Sequence, residues 1–506
     1  MLQAIIRKFA ISVVVAGLAA AGAHAETVIR IGLQEDPDSF DPARAYSFVG
    51  RIVLTSLCNK LIDAAPDLHF VPQLALSWDT SADGKAVTFR LRPGVKFSDG
   101  TDLDAAAVAL NLDRAMHLPE SRRKSEVAAL DTVDVIDPLT VRLNLKNPFA
   151  PLIAQLSDRA GLVASPKALK NPDGFDKAPA CSGPFKMADR VIQDHIALVR
   201  DPNYWDAGRI HIDKVEFRII PDPAVRLANL RAGALDFAER ILASDVAGLK
   251  ADPRFKVLVG PSLQYNGITI NMANGSGGNP DFQKSAQLRE ALDLSIDREA
   301  INQVLFAGNA VPDNQPQPVS SPFHSPDRPS KPRDIARAKE LIKASGVAHP
   351  TLELMVINSA DQAQLAQMLQ SMAAESGIEI KIKTLEFQTL LAQQAKGDYQ
   401  ASLIGWSGRV DPDGNIYTLL GCKSPTNDAR YCDETTESLL LRGQAETNNV
   451  EERQKLYHQA IDKIVDDRPI IYFYHPPLIQ AMTAKLNGFV FHPDGLIRLQ
   501  DVAYAP

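Results

Sequence analysis

Basic charge is in short supply: 54 lysines and arginines stand against 61 aspartates and glutamates, for a formal net charge of −7. That excludes nucleic acid or an anionic lipid surface as the main partner, since both need a basic face. Long apolar runs are missing as well. The one candidate, residues 9–21, spans only 13 residues, too few to cross about 30 Å of hydrocarbon as a helix. Arg7 and Lys8 precede it and Ala23-His24-Ala25 follows it, so residues 1–25 read as a secretory signal peptide removed before Glu26. No cysteine lies near that cut to carry a lipid. The expectation is a freely diffusing protein of the periplasm, not a lipoprotein, with no membrane anchor. Cleavage removes two basic and no acidic side chains, moves the charge to −9 and leaves 481 residues. That is more than one hydrophobic core usually supports, so two or three domains are expected.

Cysteine is scarce too. Cys58, Cys181, Cys422 and Cys432 all fall in the part exported to an oxidising compartment, and four cysteines allow three pairings. The short loop 423–431, with Pro425 and Asn427, favours Cys422 with Cys432 and leaves Cys58 for Cys181. Close Cys-x-x-Cys spacing with flanking histidines is absent, so no metal site is expected. Catalytic signatures are missing likewise. There is no Gly-x-Ser-x-Gly elbow and no His-Glu-x-x-His, and the ten histidines are scattered. The chain is expected not to be an enzyme and to need no cofactor; an exported hydrolase with a triad assembled from distant residues is the alternative.

What is present is secondary-structure pattern. Val87, Phe89 and Leu91 alternate with polar residues as a half-buried strand, Pro93-Gly94 and Ser98-Asp99-Gly100 are turns, and Asp104 caps a helix to about 116. Val133 and Val135, then Asp137-Pro138, then Val141, Leu143 and Leu145 form a hairpin. This stretch is a compact α+β unit. Strand 215–219 leads through Pro221-Asp222-Pro223 into a helix stopped at Gly233. Further along, helices 288–296 and 298–306 are followed by a proline-rich connector, 311–332, expected to be an irregular surface loop. Helices 334–345, 361–376, 388–396 and 450–466 then alternate with strands 352–356, 378–382, 401–406 and 470–474. Alternation of this kind means an α/β domain with a mixed sheet, and two lobes of different character suggest a cleft between them.

Several blocks carry a family resemblance: Pro72-Gln73-Leu74-Ala75 with Ser77-Trp78, Asp83-Gly84-Lys85, Thr88-Phe89-Arg90-Leu91-Arg92, Gly94-Val95-Lys96-Phe97-Ser98-Asp99-Gly100 and Ala107-Val108. Others are Ser182-Gly183-Pro184-Phe185, Asn203-Tyr204-Trp205, Leu230-Arg231-Ala232-Gly233-Ala234-Leu235-Asp236, Leu288-Arg289-Glu290-Ala291-Leu292 with Ile296-Asp297-Arg298, and Gly405-Trp406. With them the chain resembles the bacterial extracellular solute-binding proteins of family 5, the peptide and nickel class of ABC importers. The resemblance implies the two-lobe, three-domain type II periplasmic binding fold. It also implies a monomer that takes a small peptide or peptide-like solute and delivers it to an inner-membrane ABC permease. By analogy lobe one combines 26–66, 175–264 and 485–506, an extra α+β domain covers 67–174, and lobe two is 265–484. Hinge crossings would fall near 265–271 and 483–486. Trp78 and Trp205 read as core aromatics, and Asp297 as a helix cap beside a solvated Arg298.

The sharpest candidate for ligand contact is the loop Gly405-Trp406-Ser407-Gly408-Arg409-Val410-Asp411-Pro412-Asp413-Gly414 at a strand end, where α/β sheets place ligands. Glycine lets a ligand backbone approach as an added strand. Peptide-binding relatives carry Trp-x-x-Asp, whose carboxylate holds the ligand's ammonium group; here that position is Arg409. A guanidinium holds a carboxylate instead, which points to an acidic or modified peptide or an amino-acid conjugate, unless Arg409 pairs with Asp411 or Asp413. Further cleft candidates are Gln34, Glu35, Phe48, Tyr265, Asn271 and Tyr474. A nickel complex or haem is the alternative solute. His475 and His492 could serve such a solute but lack multi-histidine spacing and read as structural.

Overall fold

A computed structural model describes residues 26–505; the expected signal peptide lies outside them. Among the described residues no helix is long and apolar enough to cross a membrane. Strand Val28–Leu33 lies at the heart of a seven-stranded mixed sheet, parallel to Lys214–Ile219 on one side and to Phe237–Ala238 on the other. Ile29, Ile31 and Leu33 are buried there, under helix Phe48–Leu57, whose Ser47 cap accepts from the Gly50 amide. A cap of this kind is worth about 1 kcal/mol. Cys58 ends that helix and is bonded to Cys181; Cys422 and Cys432 form the second disulfide, so both expected pairings are present.

The second sheet has six strands in the order Val311–Pro312, Ile470–His475, Tyr265–Ile270, Ala401–Trp406, Thr351–Ile357, Glu379–Leu385. Its last three strands are parallel, as helical crossovers require. Helix Ala360–Ser376 ends at Gly377, whose φ of 103° only glycine adopts without strain. The third sheet has four antiparallel strands between Ala75 and Leu145. Helix Ala105–His117 covers it, with the expected Asp104 cap bonded to the Ala107 amide.

Four expectations change. The second crossing between the large sheets falls between His475 and Leu478, not near 483–486. Strand Leu478–Thr483 pairs with Phe255–Gly260 in the first sheet, and Pro476-Pro477, lacking amide hydrogens, ends the preceding strand. The extra domain also stops earlier than 174, because Leu162, Ala164 and Leu169 pack into the first-sheet core. Arg298 is not solvated: it is buried, 2.5 Å from Asp293 and bonded to the Tyr472 carbonyl. Finally, the proline-rich connector is anchored inside. Buried Gln315 donates to the Ser325 and Arg328 carbonyls and accepts from the Ser325 amide. Helix Glu434–Ala445, inside a stretch that reads as loop, is a further element that pattern alone missed.

Candidate ligand cleft

Strand Ala401–Trp406 pairs along its whole length with Tyr265–Ile270. On its other side the pairing with Thr351–Ile357 stops at Val356 opposite Leu403. Ile404, Gly405 and Trp406 therefore keep one open edge, and Gly405 is exposed. The loop beyond is held by Asn415. Its Oδ1 accepts from the Trp406 indole at 3.1 Å and from the Arg409 amide at 2.6 Å, and its Nδ2 donates to the Arg409 carbonyl. Gly408 has φ 74°, and a Cβ there would lie 2.1 Å from the Leu263 carbonyl oxygen. Only glycine fits this turn.

The loop and helix Glu434–Ala445 reach across to the first lobe and the extra domain. Tyr46 lies 6.3 Å from Trp406, centroid to centroid. Arg51, on helix Phe48–Leu57, donates to Ser407 Oγ at 3.2 Å. Gln155 donates to Asp413 at 3.4 Å, and the Ala150 amide to the Gln444 carbonyl at 2.8 Å. Arg409 does not pair with Asp411 or Asp413. Its Nε lies 2.7 Å from Asp158, its face 4.5 Å over Trp406, and its Nη1 donates to the Gly408 carbonyl. Asp158 is shared with Arg51 at 3.1 Å. Burial alone would raise the Asp158 carboxyl, but the Arg51, Arg409 and Arg159 guanidiniums outweigh it and hold it well below the usual range. Burial, with Arg51 beside it, pulls the Arg409 guanidinium down to about 10 against the opposing pull of Asp158, so it stays charged at neutral pH.

Asp411 binds Arg453 through two parallel bonds of 2.8 Å. Asp413, fully buried, accepts from Gln444 and Tyr457, and burial together with Asp411 pushes its carboxyl up to about 7. Asn271 is withdrawn from the cleft. It is 0% exposed and its amide bonds Asn274, the Gly397 carbonyl and the Tyr399 carbonyl, which leaves no polar atom for a solute. Tyr265 is core as well, edge-on to Tyr472 with centroids 4.8 Å apart. Tyr474 is buried edge-on against Phe306. Glu35 and Gln34 end strand Val28–Leu33 half-buried, the Gln34 amide donating to Glu239. The Phe48 ring has the Arg51 guanidinium at 5.9 Å and the Arg240 guanidinium at 5.4 Å. His475 joins the two crossings, Nδ1 donating to the Gln264 carbonyl at 2.8 Å, with Nε2 3.2 Å from Asp313. His492 is buried and pushed down to about 4 by desolvation.

Sequence reasoning missed Tyr46, Arg51, Arg122, Asp158, Arg240 and Asp428. Arg122 lies 5.6 Å over Tyr46; burial raises the Asp428 carboxyl to about 6 against the pull of Arg122 and Arg430. These residues come together only through the fold, and no local motif marks them.

Two lobes meeting around charged and aromatic side chains define a solute-capturing protein. The profile of bacterial extracellular solute-binding proteins, family 5 Middle, matches residues 69–427, and the chain belongs to that family. The glutathione-binding protein GsiB of Pectobacterium atrosepticum is 30% identical over 480 residues, 92% of this chain and 91% of that protein. The periplasmic binding protein DppA of Helicobacter pylori, solved with the peptide STSA, superposes with TM-score 0.87 at 23% identity over 94% of this chain and 98% of that one. AgaA of A. tumefaciens, solved with agropinic acid, gives TM-score 0.86 at 24% identity over 95% and 99%. Their architecture is the type II periplasmic binding fold, as expected from the sequence, and the family's members are transport components that carry solutes and do not transform them.

Proposed function

We propose that this protein captures a small acidic peptide or peptide-like conjugate between its lobes and hands it, unchanged, to an inner-membrane ABC permease. The observation that carries the reading is the open edge Ile404–Gly405–Trp406, faced by Tyr46 and Arg51 of the opposite lobe. An extended solute adds there as a strand through its backbone amides and carbonyls. The Arg122 guanidinium, 5.6 Å over Tyr46, favours an acidic solute. The GsiB relatives, named for glutathione, an acidic tripeptide, support the same class. Export by the signal segment 1–25, action in the periplasm and a monomeric state belong to this proposal. Arg409, engaged with Asp158, acts in it as a strut between the lobes and not as the anion holder.

Calorimetric titration with glutathione and a panel of di- and tripeptides, followed by mass spectrometry of the recovered solute, tests the reading. One-to-one binding with intact solute is expected. Cleaved solute, or no binding of any peptide, overturns it.

A further inference from the structure

Near the Phe48 ring, an ionisable carboxyl and a guanidinium come from neighbouring strand ends without forming an ion pair. Strand Val28–Leu33 ends at Gln34 and Glu35, and the neighbouring short strand Phe237–Ala238 ends at Glu239 and Arg240. Arg240 takes φ 49°, a left-handed backbone that a side-chain-bearing residue adopts at a cost. Its guanidinium lies 5.4 Å over the Phe48 ring and makes one long bond, 3.4 Å, to Gln264 Oε1. Its Nε is buried without a partner, and among the described residues Arg240 has no ion pair. Glu35 has none either, although it is half-buried. Burial pushes its carboxyl up to about 8; Arg240 pulls it down, and Glu239 and Asp38 push it up. The strand register sets the two groups side by side, and with its carboxyl raised Glu35 stays protonated at neutral pH instead of closing on the guanidinium. Held apart, they suit a ligand that brings both opposite charges.

We propose that Glu35 and Arg240 form the subsite for a free amino-acid head, an ammonium and a carboxylate on one carbon, with Phe48 as its apolar floor. Glu35 takes the ammonium and Arg240 the carboxylate. This rests on the capture reading above and goes beyond it by naming the part of the solute that is selected. An ordinary peptide, linked through its α-carboxyl, carries its two charges at opposite ends, separated by about 3.5 Å for every residue. A conjugate linked through a side chain, such as a γ-glutamyl peptide, keeps both on one carbon. The subsite therefore distinguishes the linkage of a solute and not merely its charge.

The test compares two isomeric probes by calorimetry: glutathione, γ-linked, and the α-linked tripeptide Glu-Cys-Gly. Wild type is expected to bind glutathione at least about tenfold more tightly, the scale on which a lost charged partner is felt. Glu35→Gln and Arg240→Gln each remove that preference while affinity for the α-linked isomer changes less than about threefold. Glu35→Asp, which keeps the charge, retains part of it. Titration at pH 7 in two buffers of different ionisation heat shows a proton leaving Glu35 as the ammonium arrives, and Glu35→Gln abolishes that release. Equal binding of the two isomers by wild type, or an equal loss for both in the variants, overturns the head-group subsite and leaves the capture reading standing. Binding of neither isomer overturns both.

Discussion

Two neighbouring parts of the cleft treat charged groups in opposite ways. Around Trp406 three arginines are matched: Arg409 and Arg51 share Asp158, and Arg453 grips Asp411. Around Phe48 the charges are left apart, with Glu35 and Arg240 each lacking an ion pair among the described residues. Matched charges satisfy one another and hold the lobes in register; unmatched ones keep their pull for a guest. The difference is the ground for assigning the anion-holding role, in the proposed subsite, to Arg240 and not to Arg409.

Deleting a matched charge should cost most. Asp158→Ala strands Arg51 and Arg409 in the interior and is expected to lower stability by about 3–5 kcal/mol in denaturant titration. Arg409→Ala should cost less, about 1–3 kcal/mol, because Asp158 keeps Arg51. Acid separates the two groups further. A carboxyl held low in the fold, as Asp158 is, contributes stability above its unfolded value near 3.9 and loses it as pH falls through the folded value. The deficit of Asp158→Asn relative to wild type should therefore shrink below about pH 4. Glu35 carries the opposite sign. Its carboxyl is raised to about 8, so the fold binds its proton more tightly than the unfolded chain does. Stability from Glu35 falls as pH rises from its unfolded value through 8. Thermal melts of the solute-free protein should show Glu35→Gln close to wild type below about pH 4 and more stable near pH 9. The smallest effect is expected from Arg240→Gln, within about 1 kcal/mol, because only a long bond to Gln264 and the Phe48 contact are lost and no ion pair is; its main consequence appears in binding.

Much of the scaffold was legible in the chain. Alternation at Val87, Phe89 and Leu91, the Asp104 cap and the helix stop at Gly377 lie where the pattern puts them, because each is decided within a few residues. The loop after Trp406 was legible as a strand end for the same reason. Its chemistry was not. The partner of Arg409 comes from the opposite lobe, and Arg240 acquires its setting from strand Val28–Leu33 and Phe48, contacts that only the tertiary fold makes. One local signal was readable and missed: Pro476-Pro477 marks the return crossing between the sheets. Asn271 misleads in the other direction, since a polar residue at the end of a hinge strand looks available until its hydrogen bonds to Asn274, Gly397 and Tyr399 are seen.

A crystal structure of the protein grown with glutathione would test the contrast between matched and unmatched groups most directly. The account predicts solute between the lobes, its backbone along Ile404–Trp406, its amino-acid head on Glu35 and Arg240, and Arg409 still bound to Asp158. A solute carboxylate held by Arg409, with Asp158 released, would contradict it.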